Sequence, residues 1–89
     1  MAMLFVRHDV SDFEQWKKAY NDFDAERKSM GVTNDGVFQT EGNPNDVTVF
    51  HEFETMQAAK AFASSPRLLE IMKNAGVAGA PNIWYTNRV

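Results

Sequence analysis

From Met3 to Val10 apolar and polar residues alternate. Leu4, Val6, His8 and Val10 share one face, and Phe5, Arg7 and Asp9 the other. The period then becomes helical. Phe13, Trp16, Tyr20, Phe23 and Met30 form an apolar stripe interrupted by Arg27, with Lys17, Lys18, Asp24 and Lys28 outside it. Ser11-Asp12-Phe13-Glu14 reads as a capping box with Ser11 at the N-cap, and Gly31 stands where a helix-ending glycine belongs. One helix is therefore predicted from there to about Met30.

A second strand is predicted from about Val32 to Thr40, weakened by Asn34, Asp35 and Gly36. Gly42-Asn43-Pro44-Asn45-Asp46 is dense in turn formers and closes a hairpin. Strand three, Val47 to Phe53, places Val47, Val49, His51 and Phe53 on one face and Thr48, Phe50 and Glu52 on the other. Thr55 caps a helix running to about Ala63, and Ser65-Pro66 begins a short one that Gly76 ends. A small-residue loop, Gly76 to Pro81, leads into a last strand from about Asn82 to Arg88. The order β-α-β-β-α-β specifies a split βαβ sandwich, the ferredoxin-like α+β plan, as one domain over residues 1–89. That plan leaves one sheet face without helices, and a second copy of the chain is the expected cover.

Composition narrows the function classes. Nine Lys and Arg against 12 Asp and Glu give a net charge of −3, with no basic cluster, which argues against nucleic-acid binding. The absence of cysteine excludes disulfides, thiolate metal sites and a Cys nucleophile. Arg7 and Asp9 arrive too early for a signal peptide, and no apolar run approaches membrane-spanning length. The expected location is the cytoplasm, with no membrane partner.

Particular motifs carry a resemblance. Val10-Ser11-Asp12-Phe13-x-x-Trp16, the Asn43-Pro44-Asn45 turn, Phe53 leading into Ala58-Ala59-x-Ala61-Phe62, and Ser65-Pro66-x-Leu68 through Ala75-Gly76-Val77 to Pro81 span essentially the whole chain. The chain resembles the dimeric α/β-barrel superfamily, and within it the small proteins similar to antibiotic-biosynthesis monooxygenases. The resemblance implies a homodimer in which two sheets dock face to face, with ligands between each sheet and its helices. It includes cofactor-free oxygenases of polyketide quinones and quinols, haem-degrading enzymes and lactone isomerases, so it does not choose an activity. Haem-degrading relatives carry a ligand His near the position of Met72, so the resemblance implies no haem here. No cofactor is expected.

Candidate chemistry follows from face and residue type. His8 and His51 share the helix-facing parity, where two imidazoles could serve as acid and base or sit as core histidines bonded to backbone or Tyr. No metal is expected, because a third ligand at fixed spacing is missing. Trp16, Tyr20, Phe62, Trp84 and Tyr85 supply walls for a flat ring or simple core, and the Tyr20 or Tyr85 hydroxyl could bond a quinone-like oxygen. Phe5, Arg7, Phe50 and Glu52 point to the proposed interface, with Arg7 and Glu52 as an interfacial ion pair, Glu52 bound to an amide of the second copy, or Arg7 as an anchor for an anionic substrate. Two functions stay open. One is a cofactor-independent monooxygenase-like enzyme acting on a small aromatic or quinol-type compound, with His8, His51 or a Tyr handling protons. The other is a non-catalytic dimer that binds a small apolar ligand or serves a structural or stress-related role.

Overall fold

The alternation at the start of the chain becomes β1 (Ala2–Val10), which pairs on both sides in a four-stranded antiparallel sheet of order β2-β3-β1-β4. A computed structural model describes all 89 residues. β2 is Asn34–Thr40, β3 is Asn43–Phe53 and β4 is Val77–Asn87. Against β3, Leu4 stands opposite His51, Val6 opposite Val49 and His8 opposite Val47. All six are buried, together with Val10 and Phe53, so the helix-facing parity read from the sequence holds. Four helices cover this face: α1 (Phe13–Asp22), α2 (Asp24–Ser29), α3 (Met56–Ala63) and α4 (Pro66–Asn74).

Local chemistry departs from expectation at several points. The N-cap of α1 is Asp12, not Ser11. Its Oδ1 accepts from the amides of Glu14 at 3.0 Å and Gln15 at 3.5 Å, and its negative charge suits a helix N-terminus. Ser11 is occupied elsewhere, because its amide and hydroxyl both donate to the Gly76 carbonyl. The single helix expected to Met30 breaks at Phe23, where ψ is −1° and the ring drops into the core. Gly31 follows with φ 101°, as its helix-ending role requires. Thr55 caps α3 by accepting from the Ala58 amide, and Pro66 opens α4.

Strand boundaries also shift. β2 holds Asn34, Asp35 and Gly36, whose pairing with Glu52, His51 and Phe50 overrides their weak strand preference. The hairpin turn shrinks to Glu41-Gly42, and Asn43 to Asp46 join β3. The segment from Val77 to Pro81, expected as a loop, belongs to β4 with an irregularity. Asn82 pairs with Arg7 and Ala78 with Asp9, which leaves Gly79, Ala80 and Pro81 unmatched where His8 passes. Proline has no amide to give a ladder, so this is the place for it.

The core is divided. One cluster gathers Leu4, Val6, Phe23, Phe53, Ala59 and Phe62. The other gathers Val10, Trp16, Val47, Val49 and Ala75.

Candidate functional site

A cavity of about 60 Å³ occupies the seam between these clusters. β1 and β3 contribute Val6, His8, Val49 and His51. α1 contributes Trp16 and Tyr20, α2 contributes Arg27, and α3 contributes Phe62. α4 closes it with Leu68, Ile71 and Met72. Phe23, between α1 and α2, and Ala75 complete an almost wholly apolar wall.

Aromatic rings run along that wall in sequence. His8 meets Trp16 edge-on at 5.5 Å between centroids, and Trp16 stacks on Tyr20 at 5.1 Å. Tyr20 lies 6.1 Å from His51, and His51 lies 5.0 Å from Phe62. The helical spacing of Trp16 and Tyr20 brings them over the two strand histidines, whose shared parity aims them the same way.

Polar atoms interrupt this wall at few places. His8 and His51 are 6% and 5% exposed, and neither ring nitrogen of either finds a hydrogen-bond partner in the protein. Arg27 is 3% exposed. Its Nη1 donates to the Tyr20 carbonyl and its Nη2 to Asp24 at 3.1 Å, with Asp35 at 3.8 Å. Its Nε–H is buried without a partner. A buried, unsatisfied group costs about 1–3 kcal/mol, and more when charged. All three residues line the same cavity.

Burial fixes the protonation states. It lowers the His51 pKa to about 4, helped by the Arg27 charge, so His51 is neutral at pH 7. Burial also lowers that of His8, against the opposing pull of Asp9 and Asp46. Burial and the hydrogen bond to Asp35 push the Tyr20 hydroxyl well above the usual phenol range. Neutral imidazoles can each donate one hydrogen bond and accept one. The cavity therefore offers hydrogen bonding and one fixed cation, but no strong base at rest.

Several expected site residues lie elsewhere. Trp84 faces the open side of the sheet, stacked on Phe5 at 5.5 Å. Tyr85 sits on edge strand β4, with the Lys60 ammonium 5.8 Å from its ring. Neither reaches the cavity. Tyr20 does, but its hydroxyl proton is committed to Asp35, so it offers a ring rather than a donor. Arg7 and Glu52 do not pair with each other within the chain. Arg7 forms a bidentate pair with Asp46, at 2.6 and 3.1 Å, and Arg88 pairs with Glu52 at 3.1 Å. Arg27 and Asp35 were missed. A charge on the apolar stripe of a helix, and an Asp at the helix-facing parity of a strand, are the signals that point to them. No group of three or more His, Asp or Glu side chains is arranged to hold a metal ion.

The open face carries its own pattern. Phe38, Phe50, Phe5 and Trp84 form a row across all four strands, with successive centroids 6.1, 6.3 and 5.5 Å apart. Phe38 is 60% and Trp84 42% exposed. No helix is long and apolar enough to cross a membrane.

No family model matches the sequence, and no curated protein matches it. Solved structures do match, over nearly the whole chain. A Bordetella bronchiseptica protein provisionally named an antibiotic biosynthesis monooxygenase superposes with a TM-score of 0.83 at 14% identity, covering 99% of this chain and 96% of that one. SnoaB, a cofactor-independent oxygenase from Streptomyces nogalater, gives 0.75 at 10% identity over 99% and 94%. A Streptomyces coelicolor monooxygenase in complex with Nanaomycin D gives 0.71 at 15% over 99% and 87%. The chain is thus a ferredoxin-like α+β sandwich with the fold shared by antibiotic biosynthesis monooxygenase structures.

Proposed function

We propose that the protein is a cofactor-independent monooxygenase-like enzyme that takes a small aromatic or quinol-type compound into the cavity between sheet and helices. The observation that carries this reading is the convergence of His8, His51 and Arg27, with unpartnered polar atoms, on one apolar, aromatic-walled cavity. Without a cofactor, the ring itself must reduce dioxygen. In such a reaction an activated ring carbon loses its hydrogens and becomes a carbonyl, and the second oxygen atom leaves as water. An apolar cavity suits this chemistry because it keeps bulk water from the reacting carbon. Neutral His8 and His51 would orient the ring oxygens and carry protons. The fold shared with SnoaB and the Streptomyces coelicolor monooxygenase supports the same reading.

The void is smaller than the ~150 Å³ of a dry cavity that accepts benzene. A ring therefore enters only by displacing part of the wall, and α4 is the part that yields. It buries no residue completely, and its ends lie at Ser65 and at Gly76, where φ is 85°. The chain would act as a homodimer, with the aromatic row of the open face covered by a second copy.

Oxygen uptake by the purified protein, measured against a panel of anthrones and quinols, tests the proposal. Uptake with at least one ring, reduced in His51→Gln, is expected. The alternative is a non-catalytic dimer that binds a small apolar ligand, favoured by the near absence of polar wall; binding without oxygen uptake would select it.

A further inference from the structure

Arg27 is costly where it sits. A cation with 3% exposure needs compensation, and the protein supplies it on one side only. Asp24 and Asp35 face Nη2, the Tyr20 carbonyl takes Nη1, and the Tyr20 ring lies under the guanidinium at 3.7 Å. Asp24 also holds Lys28 at 3.0 Å, so two cations and two carboxylates balance in this corner. Arg27 lines the cavity, and its Nε–H is buried with no partner in the protein. His51, on the same wall, is close enough to feel the Arg27 charge and has both nitrogens free.

We propose that Arg27 and His51 form an oxygen-recognising corner of the cavity, and that its ligand is a planar ring bound there through an anionic phenolate oxygen. The inference rests on the reading that the cavity takes a ring, and it narrows the class. A hydrocarbon or a fully alkylated ring would leave the buried Nε–H unsatisfied, at the cost such groups carry. A phenolate oxygen accepts from Nε–H and from one His51 N–H together, and hydrogen bonds between ionised partners are the stronger kind. Tyr20, Trp16 and Phe62 provide the ring contacts. The phenol proton leaves to solvent on binding; no bond other than O–H is broken. An apolar cavity without a directed cation does the opposite, because desolvation favours the neutral phenol.

That opposition gives the experiment a sign. The probe is 4-nitrophenol, whose phenolate band reports its ionisation, titrated against the whole protein across pH. The expected result is a bound probe that ionises at lower pH than in water, with the phenolate bound roughly tenfold tighter than the phenol, the ratio of one pKa unit. Arg27→Lys keeps the charge and removes the planar N–H fork, and is expected to abolish the preference while circular dichroism stays native. Should that variant fail to fold, His51→Phe takes its place and is expected to weaken phenolate binding several-fold. Arg7→Lys, on the opposite sheet face, should leave the preference intact. A probe bound as neutral phenol, or a preference that depends on Arg7 and not on Arg27, overturns the corner and leaves the ring-binding reading standing. No binding at any pH overturns the ring-binding reading itself.

Discussion

The Arg27 guanidinium lies 3.7 Å from the Tyr20 ring centroid, while Nη1 of the same group bonds the Tyr20 carbonyl. One residue thus holds its neighbour by ring and backbone together. Tyr20 has two separable roles, a ring under a buried cation and a hydroxyl on Asp35. Tyr20→Phe should cost about 1 kcal/mol, the usual worth of one hydrogen bond. Tyr20→Leu should cost about 1–2 kcal/mol more, because a desolvated cation–π contact is lost as well. Urea denaturation of the two variants checks the order, and equal costs would show that the ring contributes nothing to holding Arg27.

Acid sensitivity should begin before the carboxylates titrate. His51 ionises near 4 when folded and near 6.5 when unfolded, so between those values the unfolded chain binds a proton that the folded one refuses. The stability due to neutral His51 is complete above about pH 6.5 and is lost as the pH falls towards 4. The loss is on the order of 3 kcal/mol, and His8 adds to it with the same sign. The His51→Gln variant should show a flatter decline of thermal midpoint between pH 6.5 and 4.5. A slope matching that of the wild type would remove His51 as its source.

Phe50 is central to the open-face row, between Phe38 and Phe5. If the proposed dimer forms, Phe50→Asp should convert it to monomers or unfold the chain, whereas Gln57→Ala, on exposed α3 surface, should leave sedimentation unchanged. Gly36→Ala provides a gentler probe. A Cβ there would come within 2.9 Å of the Phe50 ring, which must tilt and disturb the row. Affinity of the proposed dimer, read by sedimentation, should fall without loss of helical signal.

At the start of α1 the two neighbours should behave differently. Asp12→Ala removes an acceptor from two helix amides and should cost about 1 kcal/mol. Ser11→Ala loses only an exposed 3.3 Å bond to Gly76 and should cost less. Thermal midpoints in the reverse order would assign the cap to Ser11.

The fold was legible because β1 and β3 wrote their parity plainly. Leu4, Val6, Val47, Val49 and Phe53 left no choice of buried face, and His8 and His51 travelled with them. Capping at residues 11 and 12 was not legible. Ser and Asp are both good N-caps, and the choice depended on Gly76, which is distant in sequence. Asn34 to Gly36 and Gly79 to Pro81 misled for a related reason, since strand pairing outweighed local turn preference. In the site, Trp16, Tyr20 and Phe62 followed from helical spacing. Arg27 and Asp35 did not, because their meaning arises only where two helices and an edge strand meet. Trp84 and Tyr85 failed as wall residues because composition reveals aromatic content but not placement: Trp84 pairs with Phe5 on the open face, and Tyr85, opposite Leu4, sits on the edge strand away from the cavity.

Where Gly79, Ala80 and Pro81 leave the ladder, the sheet has a gap, and one residue stands in it. His8 borders the interior cavity and also a polar hollow of about 230 Å³ formed with Arg7, Asp9, Asp46 and Asn82. A sheet ordinarily insulates its two faces from each other; here the chain at a single residue borders a space on both. Under the sheet-to-sheet pairing proposed above, that hollow would open between the subunits.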